Sequence, residues 1–115
     1  MTWTTRLTAA SRSDFDEIID WTVDQFGPAQ AIAYARALTA LISELDAGPS
    51  QPGMKERPEL GKGIYTLHIA RRGRKGRHFV VFRIVDQRAR VLEVLRFLHD
   101  AMDLPRHLPA AEEDG

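Results

Sequence analysis

The chain has 115 residues, with 16 Lys and Arg against 16 Asp and Glu, four histidines and no cysteine. This length fits one domain with a real core, and the missing cysteine excludes disulfides, thiolate metal ligands and a cysteine nucleophile. The first residues lack a signal-peptide pattern, and no apolar run reaches the ~18 residues of a membrane span. We therefore expect a single soluble domain in the cytoplasm, without membrane contact.

The neutral total combines segments of unlike charge. Residues 1–50 carry three arginines against seven acidic side chains, whereas residues 51–110 carry thirteen basic against six acidic side chains. Residues 111–115 add three more acids. Thirteen of the sixteen basic residues are Arg, which suits bidentate contact with phosphate or carboxylate groups. Zero net charge is therefore compatible with an anionic partner for the C-terminal half.

An extended stretch over residues 2–8 precedes a first predicted helix, which runs from Ser13 to Phe26. Ser13 is the expected N-cap, and Asp14 places negative charge on the first turn, where the helix dipole favours it. A helical period defines the apolar face. The residues of this face are Phe15, Ile18, Ile19, Val23 and Phe26.

A second helix is predicted from Pro28 to Asp46, with a long stripe of alanine, leucine and isoleucine. Pro fits the first helical position and Gly fits the exit of the preceding helix. Because Gly27 alone separates the two helices, we expect an antiparallel hairpin whose two apolar stripes face the same side.

Residues 49–63 are rich in Pro and Gly and predict a loop. The period then changes to two over residues 64–70, 78–86 and 90–99, which predicts three strands of an antiparallel meander. The predicted fold is an α+β domain over residues 1–109, in which the leading strand and the meander form one sheet and the helices pack on one face. Residues 110–115 are expected to form an acidic C-terminal tail.

Basic and histidine side chains concentrate on the predicted sheet. Residues 71–77 fit either a solvated hairpin tip or an anion contact, whereas Arg83 and Arg96, inside strands, indicate a binding site or a specific ion pair. The histidines His68, His78 and His99 come one from each strand, so two or three of them are candidates for one sheet face. Zinc binding and hydrogen-bonded structural roles both stay open, since none shows helical ligand spacing.

Several short segments, each occurring once, follow one another in a characteristic order along the chain. On the helices they are Asp14 to Ile18, Phe26-Gly27, Gln30-Ala31 and Tyr34. After the helices they are Leu45, Pro49, Gly53-Met54, residues 76–83, residues 91–103 and His107-Leu108. Together this order resembles the ParE/RelE superfamily of toxins from type II toxin–antitoxin systems, over roughly residues 3–108.

The resemblance separates two branches of that superfamily. RelE-like members cut messenger RNA on the ribosome with basic residues on the open sheet face and a C-terminal tyrosine. Here His78 stands where an arginine is expected, His99-Asp100 occupies the position of another, and no tyrosine follows Tyr65. The ending Leu-His-Asp-Ala-Met-Asp over residues 98–103 instead resembles the ParE branch, whose members bind DNA gyrase and trap its cleaved DNA complex.

The ParE-like resemblance implies a non-enzymatic toxin with no catalytic residue, cofactor or metal. The implied gyrase-contact residues are Arg77, His78, Arg83, Arg96, His99, Met102, Asp103, Arg106 and His107. The implied partner is a ParD-like antitoxin, whose acidic C-terminal segment would fold against apolar residues between the helical hairpin and the sheet. Operator DNA would be contacted only through the antitoxin.

Two other hypotheses stay open. One is a RelE-like ribosome-dependent mRNA endoribonuclease, because histidine pairs can act as acid and base on RNA. Its replacement residues would be Lys62, Arg77, His78, Arg83 and His99. The other is a protein-binding module that has no toxic activity of its own.

Overall fold

The computed structural model describes residues 2–72 and 74–101. The helices are α1 (Ala9–Phe26) and α2 (Pro28–Glu44), and the strands are β1 (Thr4–Leu7), β2 (Lys55–Glu56), β3 (Ile64–His68), β4 (His78–Asp86) and β5 (Val91–His99). One sheet has the order β1-β5-β4-β3-β2, with β1 parallel to β5 and the other pairs antiparallel. The predicted α+β fold with a leading strand, a helical hairpin and a meander is confirmed. The short strand β2, inside the predicted loop, was not foreseen.

Two sequence predictions on domain ends lie outside the described residues, namely the limit at residue 109 and the acidic tail over 110–115. Within the described part, no helix is both long and apolar enough to cross a membrane. Gly27 joins the two helices at φ +92°, a conformation that side chains with a Cβ rarely adopt. The one-residue connection of the hairpin therefore requires this glycine.

The first helix begins four residues before the predicted start, and the assignment of Ser13 as its N-cap is wrong. Thr8 is the N-cap: its Oγ1 accepts a hydrogen bond from the Ser11 N–H at 3.0 Å. The same hydroxyl donates to the Leu95 carbonyl at 3.0 Å, and the Thr8 N–H donates to the Val94 carbonyl at 3.1 Å. The start of α1 is thus fixed on the edge of β5, just where β1 ends.

The main core lies between the helical hairpin and one face of the sheet. Its largest buried members include Leu38 and Leu41 on α2, Phe82 on β4 and Phe97 on β5. Only the first part of the predicted α1 stripe joins this core. Phe15, Ile18 and Ile19 pack against it. Val23 and Phe26 are 39% and 65% exposed, so their predicted burial is wrong. Phe26 lies where a groove separates the hairpin from the strand ends.

Strand register places the polar residues of the sheet on two faces. Cross-strand partners share a face, and successive residues of a strand alternate between faces. His78 pairs with His99. Both lie on the face that the helices cover, because His78 alternates with Val80 and Phe82 of β4, which are buried in the main core. Arg83 pairs with Glu93 on the opposite face.

Arg96 owes its position to a bulge in β5. Val81 pairs with Arg96 and Phe82 pairs with Val94, so Leu95 is an extra residue between two rungs. Arg96 therefore shares the face of Val81, which is the face of Arg83, and lies along the β5 edge that β1 leaves open beyond Val94. The bulge resolves which face carries Arg96, a point that the sequence pattern leaves undecided.

Candidate functional site: an apolar groove beside a histidine cluster

An apolar groove of about 580 Å³ runs between the helical hairpin and the ends of β4 and β5. Its lining residues are Trp21, Thr22, Phe26, Gln30, Ala33, Tyr34, Ala37, Arg74, Lys75, Gly76, Arg77, His78 and His99. Trp21 and Phe26 are 57% and 65% exposed, and their rings meet edge to face with centroids 5.8 Å apart. Large aromatic side chains held together in the open are typical of a surface that binds a partner.

Two histidines and a tyrosine form the inner wall of the groove. The Tyr34 hydroxyl is hydrogen-bonded to His78 Nδ1 at 2.7 Å, and the His78 and His99 rings meet edge to face at 5.3 Å. Burial, and after it the neighbouring His99, lower the pKa of His78 to about 4. Burial also raises the pKa of Tyr34. At neutral pH the Tyr34–His78 pair is therefore uncharged, which matches the apolar groove that it lines.

Asp100 ties together the strand ends beside the groove. Its carboxylate accepts hydrogen bonds from Arg77 Nε at 2.9 and 3.0 Å and from His68 Nε2 at 2.9 Å. His68 Nδ1 accepts the Ala70 N–H at 3.0 Å, so its proton sits on Nε2, facing Asp100. The bonds from Arg77 and then from His68 hold the pKa of Asp100 down to about 2. Asp100 is thus an ionised anchor for Arg77.

A basic rim, formed by Arg74, Lys75 and Arg77, borders the groove. Arg74 Nη2 is ion-paired with Glu44 at the end of α2. Its Nη1 is buried and has no hydrogen-bond partner. The rim comes this close to Tyr34 because residue 76 is glycine: a Cβ there would lie 2.6 Å from the Tyr34 hydroxyl. The groove thus combines an apolar floor with a cationic border.

Arg83 and Arg96 are held in specific ion pairs and are not among the lining residues of this groove, and an ion pair is the second of the two roles that their positions predict. Arg83 contacts Glu93 through Nε and Nη2 at 3.2 and 3.1 Å. Arg96 contacts Asp14 through Nε at 2.6 Å and Nη2 at 2.8 Å, and Asp14 also accepts the Phe97 N–H at 3.0 Å. Asp14 is the sixth residue of α1, so its predicted place in the first turn is wrong.

Three of the predicted contact residues, Arg77, His78 and His99, line the groove, and Arg96 lines a second cavity together with the same two histidines. Met102, Asp103, Arg106 and His107 lie outside the described residues. The alternative nuclease set is not assembled, because His78 and His99 face the helices while Arg83 lies on the other side of the sheet. Within the residues that the structure describes, no cluster of three metal-binding side chains occurs.

Sequence reasoning missed three residues of this site. Tyr34 entered the prediction only through the apolar stripe of the second helix and the family resemblance, and Asp100 only through a departure from the nuclease pattern and the ParE-like ending over residues 98–103. Trp21 was not singled out, although a tryptophan off the apolar stripe of an amphipathic helix is a usable signal of a binding surface.

Comparison with known proteins places these features in context. Residues 5–104 match the family model described as ParE toxin of type II toxin–antitoxin system, parDE. The chain is 33% identical to Toxin ParE1 of Caulobacter vibrioides over 103 residues, which cover 90% of this chain and 95% of that protein.

Solved structures share the fold. A chromosomal ParDE system from P. aeruginosa has a TM-score of 0.64 at 22% identity, covering 84% of this chain and 95% of that one. The RelBE2 toxin–antitoxin complex from Mycobacterium tuberculosis has a TM-score of 0.58 at 22% identity, covering 86% and 99%. A YoeB/ParE toxin from Agrobacterium tumefaciens has a TM-score of 0.56 at 15% identity, covering 84% and 96%.

Proposed function

The chain belongs to the ParE toxin family of type II toxin–antitoxin systems, and from that premise we propose that it poisons DNA gyrase and is neutralised by a ParD-like antitoxin. The match over residues 5–104 is the observation that carries the proposal. The ParE-like ending over residues 98–103 points to the same target. The action is binding rather than catalysis, since trapping a cleaved complex needs a surface and no reacting group.

The proposed gyrase-contact surface is the end of the sheet beside the groove. It consists of Arg77, His78 and His99, and the resemblance adds residues 102–107, which lie outside the described residues. The Arg77 side chain is 68% exposed although it contacts Asp100, so much of its guanidinium faces solvent. Arg83 and Arg96 are engaged within the fold, which supports a smaller contact set than the resemblance implies.

The geometry supports gyrase binding over RNA cleavage. RNA cleavage needs a base near the 2′-hydroxyl and cations around the phosphate. Here the candidate base His78 and the cation Arg83 lie on opposite faces of the sheet. Arg77, which lines the groove together with the histidines, is paired with the Asp100 carboxylate, which would repel a phosphate.

The groove is the proposed site for the C-terminal segment of the antitoxin. Such segments are disordered when free, carry apolar anchors among acidic residues and fold on binding. The apolar floor suits the anchors, and the basic rim attracts the acidic charge. Operator DNA is reached only through the antitoxin in this proposal.

Supercoiling and cleavage assays with purified gyrase test the target. We expect loss of supercoiling and accumulation of a trapped cleavage complex, with restoration by the antitoxin. Arg77→Ala should weaken both effects, whereas Arg36→Ala, an exposed arginine on α2, serves as the charge-matched control. Unchanged supercoiling at saturating toxin, or translation-dependent mRNA cleavage in an extract, would refute the proposal.

A further inference from the structure

Arg74 is unusual among the described side chains because one of its guanidinium nitrogens is buried without a partner. Nη2 is held by Glu44, whereas Nη1 has no acceptor within reach. Buried donors in native proteins are nearly always hydrogen-bonded, and an unsatisfied one is costly. Arg74 also lines the open groove, where a partner that supplies an acceptor would satisfy this guanidinium.

The surroundings of Arg74 narrow the chemistry of that acceptor. Lys75 and Arg77 lie on the same border, so the local charge is positive even after the contacts with Glu44 and Asp100. A charged acceptor forms a stronger bond to a guanidinium than a neutral one. The rest of the lining is chiefly apolar, with Trp21 and Phe26 exposed beside it. The groove therefore fits a peptide with an apolar anchor and a nearby carboxylate.

We propose that Arg74 binds an Asp or Glu side chain of the antitoxin segment in this groove and thereby contributes to the choice of antitoxin. This inference rests on the proposed function, since it assumes that the antitoxin occupies the groove. It adds a specificity-determining residue, because an antitoxin without the matching carboxylate leaves the guanidinium nitrogen unsatisfied.

A double-mutant cycle with the full-length antitoxin encoded beside the toxin gene tests this role. Arg74→Ala should weaken the affinity at least tenfold, and so should replacing one particular antitoxin Asp or Glu by its amide. Combining the two should cost little more than either alone. Arg74→Lys, which keeps the charge but loses the forked geometry, should fall between the wild type and Arg74→Ala.

Matched variants separate this role from a structural one. Arg36→Ala and Arg88→Ala each remove an exposed arginine that does not line the groove. Both should leave the antitoxin affinity within about threefold of the wild type. The melting temperature of each variant, measured alongside, shows whether the fold is kept.

The outcomes are distinguishable. If the unmodified toxin does not bind the antitoxin, the proposed function fails and this inference fails with it. If the antitoxin binds but Arg74→Ala has no effect, or no antitoxin acid couples to Arg74, only this inference is overturned. An affinity loss for Arg74→Ala that comes with a fall in melting temperature and couples to no antitoxin acid would assign Arg74 a structural role and overturn the inference as well.

Discussion

The contacts Asp14–Arg96 and Asp100–Arg77 both join an aspartate to an arginine next to β5, yet their surroundings differ. Arg96 is 24% exposed and its partner Asp14 9%, whereas Arg77 is 68% exposed. Asp14 also accepts a backbone N–H of β5, so it completes the edge of the sheet. Asp100 instead positions Arg77 and His68 at the border of a groove. Burial of the pair, rather than residue type, separates a structural contact from one available to a partner.

Asp14→Ala should have the largest effect, a loss of about 3 kcal/mol in the free energy of unfolding. The substitution removes the acceptor for two guanidinium donors and for the Phe97 N–H. Urea denaturation measures the loss, and Asp16→Ala, an exposed acid of the same helix, should stay within about 0.5 kcal/mol of the wild type. A loss below 1 kcal/mol for Asp14→Ala would contradict the structural role.

Trp21→Ala should produce the opposite pattern, with antitoxin affinity reduced about 30-fold, or about 2 kcal/mol. Trp21 is 57% exposed on the groove wall, so its removal exposes little of the core. Stability should therefore stay within about 0.5 kcal/mol. Ile32→Ala is the matched control, because Ile32 is 55% exposed on α2 but does not line the groove. Equal affinity losses in the two variants would exclude the groove as the docking site.

Acidification should destabilise the fold through His78. Its pKa is about 4 in the fold and about 6.5 unfolded, so the unfolded chain binds more protons between these values. Stability should therefore be complete above pH 6.5 and fall as the pH drops towards 4, by about 1–2 kcal/mol after allowance for partial exposure. The charged or titratable neighbours are Tyr34, His99, Asp100, His68 and Asp14.

Comparison of the wild type with His78→Gln isolates this contribution. Unfolding free energies of both proteins, measured from pH 7.5 to pH 4.5, give the difference in slope. Asp100 keeps its charge across this range, because its pKa is held near 2. Identical slopes for the two proteins would show that His78 is not kept neutral by the groove wall.

Local chemistry was enough to predict most of the fold. The helix boundary at Gly27-Pro28 could be predicted because it depends on two local preferences. Glycine tolerates the φ of +92°, and proline has a fixed φ that suits the first helical position. Strand β4 was predicted at its observed bounds and β5 within one residue. The alternation of apolar and polar residues is visible within each strand, whichever strand it pairs with.

The missed features depend on distant contacts. Thr8 caps α1 while its side chain and backbone bind the β5 edge, and Asp14 meets Arg96 across 82 positions of sequence. Helical periodicity identifies the apolar face of α1 but not where the sheet beneath it ends, so Phe26 was assigned to the core. Trp21 and Phe26 are left in the open beside the groove.

The Arg83–Glu93 pair should show the smallest effect, a coupling energy of about 0.5 kcal/mol in a double-mutant cycle on stability. Its side chains are 34% and 22% exposed, so water screens the attraction more than at Asp14. The same cycle on Asp14 and Arg96 should return a coupling several times larger, because that pair is buried and bidentate. Equal couplings in the two cycles would mean that burial does not separate the ion pairs of this sheet.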